Sequence, residues 1–253
     1  MSTQMVQPAL PGTLVFVALV LGLCAWLVLA TQRAGAALGE APQVQRRTTL
    51  ITAGACLAWL AITGLASGSG VLASSMFPPP LAVFVVFSLG VPLWAAWSGF
   101  GTRLVHGVPI AGLVGIQAFR LPLELILHSW KDQGVLPIQM TFEGRNLDII
   151  TGVLAVSVGL LLRAKPNLRA AIWIFNLIGF ALVVNVASIA MLSSPLPIRR
   201  YFNEPPVLLA FHFPYGWIVP FCVGGALFLH VLTFRWLWWT RITARQQRLQ
   251  TAS

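Results

Sequence analysis

Between Gly115 and Trp130 an otherwise apolar stretch carries Gln117, Arg120, Glu124 and His128. The last three are spaced i, i+4 and i+8, which stacks them along one face of a helix. A guanidinium and a carboxylate at that spacing are expected to neutralise each other, and the imidazole is placed to hydrogen-bond the same carboxylate. Carboxyl and imidazole groups taken out of water titrate readily, so Glu124 and His128 are candidates for a general acid and base or for a proton relay. Pro122 lies among them and leaves the carbonyl one turn earlier without its helical donor.

The stretch that follows is unusual for a loop. From Gly134 to Phe142 it is largely apolar, and then Glu143, Arg145, Asn146 and Asp148 come in quick succession. A re-entrant or interfacial segment fits this pattern better than free coil. Asn146 and Asp148 suit capping of the next helix, whereas Glu143 and Arg145 have no such role and join the candidate site. Asn176 and Asn185 fall in a later apolar run, where interhelical hydrogen bonding is expected. Two further stretches, Arg199–Pro206 and Phe211–Tyr215, are rigid, aromatic and partly charged, and the second contains His212. They have the character of a lid.

The candidate catalytic residues are therefore Glu124, His128 and Glu143, with Arg120, Arg145, Asn185 and His212 as ligand-binding residues. His128 and His212, together with a carboxylate from Glu124 or Glu143, form a donor set suited to zinc or iron. His230 is expected outside this site. Counted along a straight helix from Pro214 it lies roughly 24 Å deeper, among apolar neighbours, with one hydrogen bond to another helix as its expected role.

These residues need elements to hold them, and the composition says which. The chain has 253 residues, 57% hydrophobic and only 9% charged. A soluble domain carries about 25% charged residues because water must cover its surface, so lipid is the expected neighbour here. Seven apolar runs are long enough to span a bilayer: Gly12–Thr31, Leu50–Gly68, Leu81–Phe100, Pro109–Trp130, Asn146–Leu162, Ala170–Leu192, and a run within Val207–Trp239. The last is too long for one straight span, and Pro214 and Pro220 predict a bend in its first part. The fold class is an all-α polytopic transmembrane bundle of about seven helices. It forms a single domain over residues 1–239, followed by a short basic tail over 240–253. The first run lacks a basic leader and is too long for a signal-peptide core, so it reads as a retained helix.

Orientation follows from the cations. With the N-terminus outside, eleven Lys and Arg fall on the inner side, including Arg33, Arg103, Arg163 and Arg235. Lys131, Arg145, Arg199 and Arg200 fall outside. This predicts an N-out, C-in protein of a cell membrane, with the bacterial inner membrane as the expected location. Trp236, Trp238 and Trp239 close the last span with an aromatic belt. The net charge of +10 is then read as anchoring to lipid head groups, and no readable basic motif points to nucleic acid.

Cys24, Cys56 and Cys222 lie inside apolar runs and match no metal-binding spacing. No phosphate-binding loop, nucleophile elbow or HExxH motif is present, and the last span has no lysine for a retinal Schiff base. The polar residues support an outward-facing intramembrane site for an amphipathic, lipid- or quinone-like ligand, in an enzyme or a binding protein. Two other readings stay open. One is a proton- or ion-coupled transporter using Arg120, Glu124 and His128 as relay. The other is an assembly subunit that pairs with a partner or with itself.

Overall fold

The computed structural model describes residues 4–250 except 75 and 167, with side chains described as far as Arg241. Among the described residues every regular element is helical. In chain order they are α1 (Leu10–Ala37), α2 (Pro42–Gly68), α3 (Pro80–Trp97), α4 (Gly99–Gly107), α5 (Ile110–Gly115), α6 (Arg120–Asp132), α7 (Ile149–Ala164), α8 (Arg169–Ser193) and α9 (Gly224–Gln250). Six continuous helical stretches are long and apolar enough to cross a membrane; α5 and α6 form one of them, Ile110–Asp132, and another is Tyr215–Arg241. The seventh apolar run is α7. At 1.5 Å per residue its 16 residues cover about 24 Å, short of the roughly 30 Å hydrocarbon core. The chain is thus a helical bundle with the architecture of a multi-pass membrane protein.

Burial ranks the helices. Only 17% of the most apolar window in α1 and in α2 is covered by protein, against 72% for Tyr215–Arg241. The last span is the axis of the bundle, and α1 and α2 form a peripheral hairpin whose apolar side chains face outward, as Leu57 and Leu65 do. Cys24 and Cys56 are half-buried on this hairpin, and their thiols meet across it. Cys222 alone is fully buried.

Local chemistry sets the boundaries. Proline occupies the first turn of α1, α2 and α3, where the missing N–H has no partner to lose. The third predicted span ends earlier than its hydropathy suggests. Ser98 turns the chain, its Oγ accepting from the Phe100 amide at 3.2 Å, and α4 begins there. Gly107 lets the end of α4 touch α1, because a Cβ on it would lie 2.6 Å from the Ala34 Cα. At the opposite end of the bundle, Gly134 closes α6 in a left-handed conformation at φ 73°, which a residue without a Cβ adopts at little cost.

Two irregular stretches border the middle of the bundle. The chain tightens into a 3-10 turn over Ile116–Phe119, which includes Ala118, the residue whose carbonyl loses its i+4 donor to Pro122. The expected bend in the last span appears as 3-10 turns at Leu209–Phe211 and Tyr215–Trp217, followed by a π-helical turn at Ile218–Val223 around Pro220.

The stretch between α6 and α7 behaves as a re-entrant segment. Val135, Leu136, Gln139, Met140, Thr141, Asn146 and Asp148 are all buried. The segment binds its own backbone, as in Met140 N–H to Pro137 O at 3.0 Å and Asn146 N–H to Thr141 O at 3.2 Å. Internal pairing of this kind is what non-helical backbone within a membrane protein requires. Because α7 is short and preceded by this plug, its first turn starts in the middle of the bundle.

Candidate functional site

Arg120 has no exposed surface, and three elements converge on it. Its Nη1 donates to Asp148 Oδ1 at 2.5 Å and to the Gly179 carbonyl of α8 at 3.3 Å. Its Nη2 lies 3.1 Å from His230 Nε2 of α9. Asp148 reaches this place only because the re-entrant segment sets it at the head of α7.

The tautomer of His230 follows from its partners. Asn176 Nδ2 donates to the His230 carbonyl at 3.1 Å, which fixes the orientation of the Asn176 amide. Asn176 Oδ1 then faces His230 Nδ1 at 2.7 Å and can only accept, so Nδ1 carries the hydrogen. Nε2 is left with a lone pair for the Arg120 guanidinium. A continuous polar chain therefore runs from α7 through α6 and α9 to α8, by way of Asp148, Arg120, His230 and Asn176. Gln117 also lies fully buried beside His230, with its Nε2 3.5 Å from Nδ1. Gly179 makes the contact possible, since a Cβ there would stand 2.5 Å from His230 Cε1.

Glu124, one turn along α6, is held separately. It is buried, and both carboxyl oxygens face Asn146 Nδ2, at 2.8 and 2.9 Å. The same nitrogen lies 3.0 Å from the Met140 carbonyl, and Asn146 Oδ1 accepts the Asp148 backbone amide at 3.1 Å. Asn146 thus ties the plug, Glu124 and the head of α7 together. Asp148 occupies the cap position of α7 without capping it through its side chain; the carboxylate serves Arg120 instead.

Beyond Glu124 the charges become accessible. His128 stacks on Phe142 with ring centroids 4.6 Å apart, and its Nε2 lies 3.6 Å from Asp132 and 3.8 Å from Glu143. Lys131 bridges the same two carboxylates at 2.8 and 2.6 Å. Arg145 donates to the Tyr201 hydroxyl at 3.0 Å and sits over its ring, while Asn185 Nδ2 donates to the Arg145 carbonyl at 3.0 Å. Asn203 donates to Gln139 at 2.9 Å. The loop around Arg199–Pro206 is thereby clasped to the re-entrant segment. His212 lies elsewhere, in a cavity of about 320 Å³ lined also by Ser67, Gly68 and Phe213.

The sequence-predicted residues divide into three groups. Arg120 and Glu124 are in the buried core. His128, Glu143 and Arg145, with Asn185 beneath Arg145, form the accessible cluster above it, and His212 belongs to a different cavity. Three expectations about contacts change. Arg120 pairs with Asp148 rather than Glu124, Glu124 takes its hydrogen bonds from Asn146 rather than His128, and His230 stands against Arg120 instead of apart from the polar residues. The depth estimate placed His230 too far inward. Arg120 and His230 both lie near the middle of their spans, and a long guanidinium closes the remaining gap. The signal available in the sequence was a histidine and an asparagine, His230 and Asn176, each inside an apolar span and each needing a buried partner. Among the described residues no three His, Cys, Asp or Glu side chains are grouped to hold a metal ion, and His128 and His212 have different surroundings.

A multi-pass helical membrane protein with an ion-paired polar core is the class that fold and site define. The chain belongs to the family described as Domain of unknown function (DUF8737), whose model matches residues 76–238. The match begins just before α3 and takes in the whole polar core, from Gln117 to His230, while α1 and α2 lie outside it. No curated protein and no solved structure matches the chain.

Proposed function

We propose that the chain is a small proton-coupled membrane transporter in which Glu124 takes up and releases the proton. The observation that carries this reading is the unequal treatment of two buried carboxyls. Asp148 holds the guanidinium of Arg120, and Glu124 is left with a single amide donor, Asn146. A carboxyl without a bonded cation inside a helical bundle changes its protonation state at lower cost than one locked in an ion pair. Glu124 is buried, and a proton is the smallest ligand that can reach such a group.

His128, one turn further along α6 and beside Asp132 and Glu143, supplies a route between Glu124 and the surface. Arg120, Asp148, His230 and Asn176 act as the fixed electrostatic frame. The distribution of Lys and Arg supports an N-out, C-in orientation, which turns the His128 cluster outward.

Infrared difference spectroscopy of the reconstituted protein tests the protonation site. A carboxyl C=O band that titrates in the wild type should disappear in Glu124→Gln. Collapse of an imposed pH gradient in liposomes, followed with a trapped indicator, tests transport. Wild-type vesicles no more permeable to protons than empty ones, with or without added solutes, would refute the assignment as a transporter.

A second reading rests on the cavity at His212. Its volume of about 320 Å³ falls at the lower end of the range for small-molecule sites. In this reading the chain is a binding protein whose amphipathic, lipid- or quinone-like ligand enters there, apart from Glu124, His128 and Glu143. Saturable binding of a short-chain quinone that is lost in His212→Leu would favour it over the first.

A further inference from the structure

At the end of the bundle remote from His128, a second cavity of about 350 Å³ opens between the α4–α5 corner, the end of α7 and the tryptophans of α9. Its walls are mainly apolar, including Ile110, Leu162 and Trp236, and His106 is a polar side chain on its rim. His106 and Trp239 lean on each other there, with ring centroids 4.5 Å apart. Tryptophan gathers at the level of lipid head groups, so Trp236 and Trp239 mark this cavity as lying at the boundary between hydrocarbon and water.

The charges around it are one-sided. Arg163 and Lys165 flank the lining residues Leu162 and Pro166 directly in sequence, and both are exposed. Neither has a carboxylate partner among the described residues. Three other cations at this end are committed. Arg103 is paired with Glu40, Arg235 holds the Ala96 carbonyl and the Thr102 hydroxyl, and Arg169 holds Thr240 and the Leu237 carbonyl. Of the six acids of the chain, Glu40 alone lies at this end, and Arg103 occupies it.

We propose that this cavity is a binding site for an anionic glycerophospholipid of the surrounding leaflet. The acyl chain lies along Ile110, Leu162 and Trp236, and the phosphate sits at the rim between His106 and the Arg163–Lys165 pair. Charge complementarity selects the occupant. An apolar trough alone would accept any lipid, and two uncommitted cations at its mouth favour one with net negative charge. A free phosphate would find the cations but leave the trough unfilled.

The test uses the full-length protein in detergent, titrated with phosphatidylglycerol or with phosphatidylcholine of the same acyl chains, and bound lipid is counted by native mass spectrometry. One phosphatidylglycerol is expected to remain bound at concentrations where phosphatidylcholine is stripped. The double variant Arg163→Gln/Lys165→Gln should weaken phosphatidylglycerol binding at least tenfold and leave phosphatidylcholine unchanged. Ala111→Phe, which narrows the trough without altering charge, should weaken it as well, with helicity checked by circular dichroism. Inorganic phosphate should not compete. Equal retention of the two lipids, full retention by the double variant, or displacement by inorganic phosphate would overturn the proposal.

Discussion

Arg120 closes its ion pair with Asp148, 28 residues further along the chain, although Glu124 lies one helical turn away on α6. The consequence is a dependence of α6 on the re-entrant segment, since that segment delivers the carboxylate. Removing one member of a buried pair strands the other charge, at about 3–5 kcal/mol, whereas removing both is close to neutral when the volume is kept. Arg120→Met should therefore lower stability by about that amount, and Arg120→Met/Asp148→Leu should recover most of it. Unfolding in detergent by a denaturant series gives the cycle. A coupling energy larger for Arg120 with Glu124 than with Asp148 would contradict the assigned pairing.

The helical period of 117–130, the run of apolar spans and the plug after α6 were legible in the sequence because each rests on local information. Spacing along α6 placed Arg120 and Glu124 on one face, and apolar residues where a loop should be polar marked the re-entrant segment. The partners were not legible. Spacing within a helix ranks only the neighbours on that helix, and Asp148, Asn146 and His230 reach Arg120 or Glu124 through tertiary packing. Asp148 also had a sufficient local explanation as a helix cap, which concealed its part in the core. The length of α7 was the remaining clue, because a helix too short to span the hydrocarbon begins inside it.

His230 should prove as important to the core as Arg120. Its ring accepts from the guanidinium and donates to Asn176. His230→Phe keeps an aromatic ring and removes both functions, leaving a guanidinium nitrogen and an amide oxygen unpaired in a buried place. The expected loss is about 2–6 kcal/mol, since each of the two stranded groups costs about 1–3 kcal/mol. Asn176→Leu should cost less, because Arg120 keeps His230 Nε2 and only uncharged groups lose a partner. If thermal melts rank these two variants in the opposite order, the chain through His230 is not what holds α6 to α9.

Gly144 tests the plug independently of charge. A Cβ on it would stand 2.3 Å from the Ile138 carbonyl oxygen and 2.6 Å from the Gln139 Cα, and both of those atoms are backbone within the same tight turn. Gly144→Ala must open that turn and displace Asn146 and Asp148 two and four residues on. The loss is expected to be about 1–3 kcal/mol, as for overpacking elsewhere. The titrating carboxyl band assigned to Glu124 should also shift, because its donor moves. Gly134→Ala, at a position with open space around it, strains only the local backbone and should leave that band in place.

The basic end offers a prediction in pH. Arg103 donates from Nε and Nη2 to the two oxygens of Glu40, at 2.7 and 2.8 Å, and from Nη1 to the Thr31 carbonyl at 2.8 Å. One guanidinium thereby joins the α1–α2 corner to α4. Its hydrogen bonds hold the Glu40 carboxyl below its ordinary value of 4.5. A carboxyl whose value is lower in the folded chain stabilises the fold fully above its unfolded value. It loses that contribution as pH falls through the folded value. The melting temperature of the wild type should thus exceed that of Glu40→Gln at about pH 7, and the difference should shrink as pH falls below 4.5 and through the folded value. The group is near the surface, so added salt should reduce the neutral-pH difference. The comparison must be between these two proteins at each pH, because every other titratable group is common to both and cancels. A difference that persists unchanged at low pH would mean that Glu40 contributes through packing or through the Gln45 side chain, which donates to its backbone carbonyl at 2.7 Å. The ion pair would then not be what joins α4 to the hairpin.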